Sequence, residues 1–214
     1  MKLLTFVTPS HSELYEDWFL ASLDSIGFNR SDLVTCFGEQ NGSGTFKQPG
    51  FCETVTRKAW AIHTQLGKMV DGDILVFSDC DVQFFGPFMA EIEENLESVD
   101  VTGQADKRGH QVCAGFVAMS VNESTTALWE LAALDTHKYP DKEQDQTALN
   151  SHLKNMSHNV LSDRYWTVGK IKLAYWDGYD FDIPDDIIMH HANFAVGMDR
   201  KLELMDKVYQ KVNK

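Results

Sequence analysis

Positive charge is scarce in this 214-residue sequence: 19 Lys and Arg stand against 32 Asp and Glu, a formal net charge of −13. A surface that negative repels a polyanion over most of its area, which argues against a nucleic-acid-binding protein and against one held on an anionic bilayer. An anionic small ligand would need a few basic residues, or a metal, gathered at one place. Cysteine is sparse too. The four, Cys36, Cys52, Cys80 and Cys113, form no CxxC pair and no Cys/His cluster of zinc spacing, so reduced thiols in a cytoplasmic protein are expected. Long apolar runs are missing: the first strand turns polar at Thr8, too soon for a signal-peptide core, and no stretch reaches the length of a bilayer span. No GxGxxG follows the first strand and no GxxxxGK[ST] occurs, which sets aside the dinucleotide-binding oxidoreductases and the P-loop kinases and NTPases. There is no internal repeat and no low-complexity linker.

The hydrophobic content of 43% is enough for one well-buried core, so residues 1–214 are expected to form a single domain, with room for it to be one domain of a longer polypeptide. Residues 2–8 read as a buried strand. A Pro turn follows, then Ser10 and Glu13 at capping-box spacing and a helix with Leu14, Trp18, Phe19, Leu23 and Ile26 on its apolar face. A short strand at 33–37 leads into a Gly-rich polar loop, 38–50, long enough to be functional, on the acceptor side or as a lid. Val55, Ala59, Ile62, Leu66 and Met69 then mark the buried stripe of a regular helix ahead of a strand at 74–78. The β-α-β-α-β order predicts parallel strands, right-handed crossovers and a ligand crevice at the carboxyl ends of the strands. Beyond it, Pro87 opens a helix with Phe88, Ile92 and Leu96; strands are expected at 99–103 and 113–121, and helices at 123–134 and 141–155. The last third reads as a strand at 168–176, a strand at 186–197 and an amphipathic helix at 200–212.

Asp79 and Asp81 lie at one of those carboxyl ends, in "DILVFSDCDVQFFGP". Alternate residues of an extended chain point the same way, so the two carboxylates can converge there. Their mutual repulsion becomes a binding site for a hard divalent cation with oxygen ligands.

This stretch resembles the DxD motif of GT-A-fold nucleotide-diphospho-sugar glycosyltransferases, including small cytosolic members from bacteria and algal viruses. "CAGFVAMSV" is similar to that family's glycine-containing sugar-pocket strand, "EQDQTALN" to its Asp-Gln helix, and "HHANFAVGMDRK" to its C-terminal His-x-Asn, Gly and Lys stretch. The four fall in family order over nearly the whole chain. The resemblance implies an α/β fold, GT-A and Rossmann-like, with a mixed, mostly parallel central sheet flanked by helices. It implies that Asp79, Asp81 and His191 hold Mn²⁺ or Mg²⁺, with His190 the competitor of His191. Thr8 and Pro9 would seat base and ribose, and Lys58, or else Arg57, would contact the nucleotide. Cys80 would lie against the donor, and Gly115, after Ala114, would admit the sugar. Asn193, Gly197 and Lys201 would meet the phosphates, and Asp145 and Gln146 would act at the reacting sugar, although an ordinary acidic helix start also explains Glu143 and Asp145. Arg108 stands open between a phosphate contact and a plain loop residue.

The implied reaction moves a sugar from a UDP-sugar, glucose-like or a 6-deoxy sugar such as rhamnose, to a glycan or small hydroxyl acceptor. The late His with Gly and Lys downstream resembles the retaining groups. A sugar nucleotidyltransferase is the nearest rival, but such enzymes carry a glycine-rich basic stretch after the first strand, where "TPSHSELYED" stands here. A metal-dependent carbohydrate-binding module without catalysis is the other.

Overall fold

The computed structural model describes residues 1–42, 46, 48–106, 109, 111–139, 144–172 and 174–214; Arg108, Glu143 and part of the 38–50 loop lie outside them. Strand β1 (Lys2–Val7) is followed by a 3-10 turn, a π-helical segment (Leu14–Leu20) and helix α1 (Ala21–Ser25). Leu14 and Phe19, both fully buried, stand five apart, the i→i+5 spacing of the π-helical hydrogen bond. The capping box expected from Ser10 and Glu13 does not form. The Ser10 N–H donates to Gln40 Oε1 (3.0 Å) and its hydroxyl lies 2.8 Å from His11 Nδ1, so the side chain is engaged before the helix begins.

There follow β2 (Leu33–Phe37), α2 (Phe51–Leu66), β3 (Ile74–Ser78), β4 (Val82–Phe84), α3 (Met89–Leu96), β5 (Val101–Ala105) and β6 (Val112–Ser120). The chain continues through α4 (Glu123–Lys138), α5 (Asp145–Leu153), β7 (His158–Val160), β8 (Tyr165–Trp166), β9 (Met189–His191) and α6 (Met198–Val212). The main sheet has six strands in the order β2-β1-β3-β6-β5-β7, and β6 runs against the direction shared by the others. This is the mixed, mostly parallel sheet that the resemblance implied.

Strand alternation distributes the core. Leu4, Leu75 and Phe77 face α2, α4 and α5, where Ile62, Leu66, Trp129 and Leu149 meet them. Leu3 and Val76 point the other way, onto Phe19, Leu23, Phe88 and Ile92 of the π segment, α1 and α3. Helix α4 starts with a capping box, the Asn122 side chain accepting from Thr125 N–H while Thr125 Oγ1 accepts from Asn122 N–H. A second sheet, β4-β9-β8, lies over a third cluster in which Leu14, Trp166, Trp176 and Phe194 pack on Leu204 and Val208 of α6.

Several sequence expectations fail at the edges. Met69 lies past the end of α2, and Pro87 precedes α3, whose N-cap is Phe88. Among the described residues of the strand expected at 168–176, Val168–Lys170 form a 3-10 turn and none is in a strand, and only three residues of 186–197, Met189–His191, form strand. Outside Met189–His191, buried apolar residues of both stretches, such as Val168, Trp176, Ile187 and Phe194, pack in the third cluster without a ladder, and periodicity does not separate the two. Strand β7, paired parallel to β5, was not expected.

Ile62 is fully buried between α2 and the sheet; Ile62→Ala should lower unfolding free energy by about 2–5 kcal/mol. Asn122→Ala should cost about 1 kcal/mol through the lost cap. Urea denaturation measures both, and an Asn122 effect near zero would remove the cap from the stability of α4.

Candidate active site

The carboxyl end of β3 is pinned by Asp79 N–H, which donates to Gly115 O of β6 at 2.7 Å. Two residues on, the Asp81 carbonyl accepts from Ala192 N–H at 3.0 Å, while β4 pairs antiparallel with β9 so that Val82 faces His191. Sheet pairing, rather than chain proximity, therefore brings the C-terminal histidine to the two aspartates. His191 Nε2 stands 3.2 Å from Asp81 Oδ1 and 3.9 Å from Asp79 Oδ2. One ligand atom from each of the three residues lies within 4.8 Å of the others.

The adjacent His190 points away. It faces Gln83 across the β4–β9 pair, with its Nδ1 3.0 Å from Gln83 Oε1 and its ring 5.4 Å from that of Trp166. Burial in that apolar setting pushes its pKa down to about 3, so the ring stays neutral. His191 has a partner of its own. Gln104 Nε2 donates to the Trp166 carbonyl at 3.0 Å, which orients the amide, and Gln104 Oε1 lies 2.9 Å from His191 Nδ1. Nδ1 thus carries a hydrogen and Nε2 is turned toward the carboxylates, so that a cation displacing the Nε2 proton would meet the tautomer a metal ligand needs. Burial opposes a charge on His191, yet Asp81 beside it raises its pKa to about 10.

The donor set suits a divalent cation: two carboxylates and an imidazole match Mn²⁺ and are compatible with Mg²⁺. Gly115 floors the same spot. A Cβ there would stand 2.3 Å from His191 Cε1 and 2.6 Å from Asp79 Oδ2, so only glycine leaves the convergence point open.

Two lysines balance the carboxylates. Lys58, buried on α2, places Nζ 3.1 Å from Asp79 Oδ1 and 2.5 Å from Asp145 Oδ2, joining the β3 end to the first turn of α5. The two carboxylates more than offset the effect of burial and hold its pKa raised. Lys201, on α6, contacts Asp81 Oδ2 and the Ala192 carbonyl. Burial alone would push the Asp81 carboxyl up; Lys201 and His191 keep it well below the usual carboxylate range.

Around this corner opens a cleft of about 390 Å³. It is lined by most of the residues singled out from sequence: Thr8, Lys58, Asp79, Cys80, Asp81, Gly115, Asp145 and Gln146, with His191, Asn193, Gly197 and Lys201 from the C-terminal segment. Besides His190, two are not part of the lining. Pro9 is exposed on the turn after β1, and Arg57 turns outward to Glu53 (2.6 Å) and Glu39 (3.2 Å). The lining also holds His11, Asp106, Cys113 and an aromatic group of Phe46, Phe51, Tyr175 and Phe194, none of which sequence reading had identified. Asp106 directly follows β5 at the same end of the sheet, so its place after a predicted strand was a usable signal. Gln104 and His11 had none: a buried glutamine and a lone histidine after a turn look like any other.

Comparison with known proteins agrees with this geometry. No curated protein matches the sequence. Among solved structures, the glycosyltransferase GlyE of Streptococcus pneumoniae TIGR4 superposes with a TM-score of 0.64 at 14% identity, over 99% of this chain and 60% of that one, so this chain spans less than two thirds of that protein. A glycosyltransferase involved in glycosylating the major capsid of PBCV-1 gives 0.62 at 10% identity, covering 96% of this chain and 98% of its own. The galactosyltransferase LgtC, solved with donor and acceptor sugar analogues, gives 0.58 at 11% identity over 100% and 95%. At these identities the likeness establishes the fold. The sequence itself matches the model of the nucleotide-diphospho-sugar transferases over residues 29–205. The chain therefore belongs to the nucleotide-diphospho-sugar transferase family and has the GT-A glycosyltransferase fold.

Proposed function

We propose that this chain moves a glucose-like hexose, or a 6-deoxy sugar such as rhamnose, from a UDP-sugar to a hydroxyl acceptor, with Mn²⁺ or Mg²⁺ bound and with retention at the anomeric carbon. One observation carries the reading: Asp79, Asp81 and His191 converge on a point floored by Gly115, at the carboxyl ends of the parallel strands, with Asp145 one lysine away. Family membership supports the nucleotide-sugar donor. The buried thiols of Cys80 and Cys113 suit a reducing, cytoplasmic setting.

Asp79, Asp81 and His191 would hold the cation, and Gln104 would keep His191 in the ligating tautomer. A bound divalent cation supplies Lewis acidity toward the departing nucleoside diphosphate. Thr8, at the end of β1, would seat the ribose and base, with Pro9 shaping the turn behind it. Lys201 and the first N–H groups of α6, which begins after Gly197 at φ 88°, would meet phosphate oxygens; Asn193 lies beside them. Cys80 would form the wall between the two aspartates. Asp145 and Gln146 would bind the donor sugar, Asp145 held in place by Lys58. Each carboxylate of the metal corner and of α5 is already engaged by a lysine, Asp79 and Asp145 by Lys58 and Asp81 by Lys201, so none of the three stands free to take the acceptor proton. That supports retention: the bond from the anomeric carbon to phosphate breaks, the bond to the acceptor oxygen forms on the same face, and the acceptor proton passes to the departing phosphate oxygen.

In a thermal-shift assay UDP should stabilise the protein with Mn²⁺ and not with EDTA, by about 2.7 kcal/mol at a hundredfold excess over Kd. Asp81→Ala should remove that response, and a variant that keeps it would sink the metal assignment. In an EPR titration of Mn²⁺, His191→Ala should weaken binding well beyond His190→Ala, and Gln104→Met should lower affinity by about 10–100-fold. Equal effects of the two histidines would count against the ligand choice. Proton NMR of the first-formed product should show the donor's own anomeric configuration; the opposite anomer would reverse the stereochemical reading.

A further inference from the structure

Helix α4 is apolar on two faces. Leu128, Trp129, Ala132 and Ala133 are buried in the core on its inner side. On the outer side Leu131 and Leu134 are 45% and 46% exposed, and Ala127, one turn ahead of Leu131, is half-buried, so residues at i, i+4 and i+7 form one outward stripe. A single exposed leucine is ordinary on any surface, but a helix that is apolar on both sides suits a place between two layers. Among the described residues, α4 is the one helix that exposes two large apolar side chains, and none of it lines the cleft. It packs on both α2 and α5: His63 Nδ1 lies 3.2 Å from the Thr126 carbonyl near its start, and His152 Nε2 lies 2.7 Å from Asp135 near its end.

The ends of the stripe carry opposite charges. Exposed Glu123 stands in the first turn of α4 and exposed Lys138 in the last. A two-fold axis crossing the stripe between Glu130 and Leu131 lays the helix antiparallel on its own copy, and each half of the pattern then meets its complement. Glu123 faces the second copy's Lys138 at both ends of the pair. Leu134 faces the second copy's Ala127, large on small, and the two Leu131 side chains meet beside the axis. A 16-residue helix is about 24 Å long, too small alone for the roughly 800 Å² per partner of a standard interface, so the α2 and α5 flanks share the contact and the association is of the weak class. A lipid surface suits this face less, because Glu123 and Glu130 border the stripe on a chain of net charge −13.

We propose that the outer face of α4 docks a second copy of this chain, antiparallel, through Ala127, Leu131 and Leu134, with a Glu123–Lys138 pair at each end. The apolar stripe supplies the affinity, and the charges fix direction and register. Glu130 lies exposed on the rim beside the axis, where its two copies repel and hold the association weak. The contact leaves both clefts open and is independent of the donor reading.

Sedimentation velocity on the full chain over a range of concentrations tests this. The wild type should show a monomer–dimer equilibrium, and Leu131→Glu should remove it. Glu123→Lys and Lys138→Glu should each weaken self-association by about tenfold or more, since like charges then oppose each other at both ends. An equimolar mixture of those two variants should form heterodimers, and the double variant should regain the wild-type equilibrium. Glu130→Gln should tighten it. All of these side chains are exposed, so the substitutions leave the fold intact. A wild type that stays monomeric at every concentration would overturn the proposal, and so would a dimer that Leu131→Glu leaves untouched, because the contact would then lie on another face. Failure of the mixed variants to associate would rule out the antiparallel register and the proposal with it. A monomer that floats with phosphatidylcholine vesicles, and loses this in Leu131→Glu, would assign the stripe to a membrane instead.

Discussion

Three carboxylates brought to one edge of a buried sheet would not stay there alone. Asp79, Asp81 and Asp145 come from two separate parts of the chain, and Asp81 and Asp145 are almost wholly removed from water. Lys58 joins Asp79 to Asp145, and Lys201 with His191 meets Asp81. Removing one member of such a buried pair costs about 3–5 kcal/mol, because the partner is left charged in a medium that solvates it poorly. The network therefore ties α2, α5, α6 and the end of β3 into one arrangement. A chain with a net charge of −13 uses two of its few lysines in this way.

The same arrangement sets the electrostatic character of the cleft. Among the described residues, Lys58 and Lys201 stand at the carboxylates, and the aromatic rings and Asp106 line another part of the cleft. Gly115 floors the metal corner, and its missing side chain keeps that point open.

The buried glutamines give the site its handedness of protonation. Gln83 and Gln104 each have an amide oriented by a backbone carbonyl, and each faces the Nδ1 atom of one of the adjacent histidines. The two imidazoles are neighbours in sequence with opposite surroundings. One looks into an apolar cluster and stays neutral, and the other looks onto two carboxylates.

Much of this was legible in the chain itself. The β-α-β-α-β order, the buried stripe of α2, and the aspartates at the end of "ILVF" follow from local periodicity and from the cost of burying charge, which act over a few residues. Family order then placed the glycine, the Asp-Gln pair and the C-terminal histidine. Contacts across the fold were not legible. Whether His190 or His191 faces the metal corner depends on the β4–β9 register, since a shift of one residue turns every side chain to the other face. Lys58 and Arg57 are adjacent on one helix, and only the packing of α2 against the sheet sends Lys58 to Asp79 and Arg57 to the surface. The short strands β7 and β8 fell outside local reading, and β9 was expected far longer than it is, because pairing partners far along the chain define them. Sequence alone thus determined which chemistry the chain carries; tertiary structure decided which of two neighbouring residues delivers it, because register and packing are properties of pairs that no single segment contains.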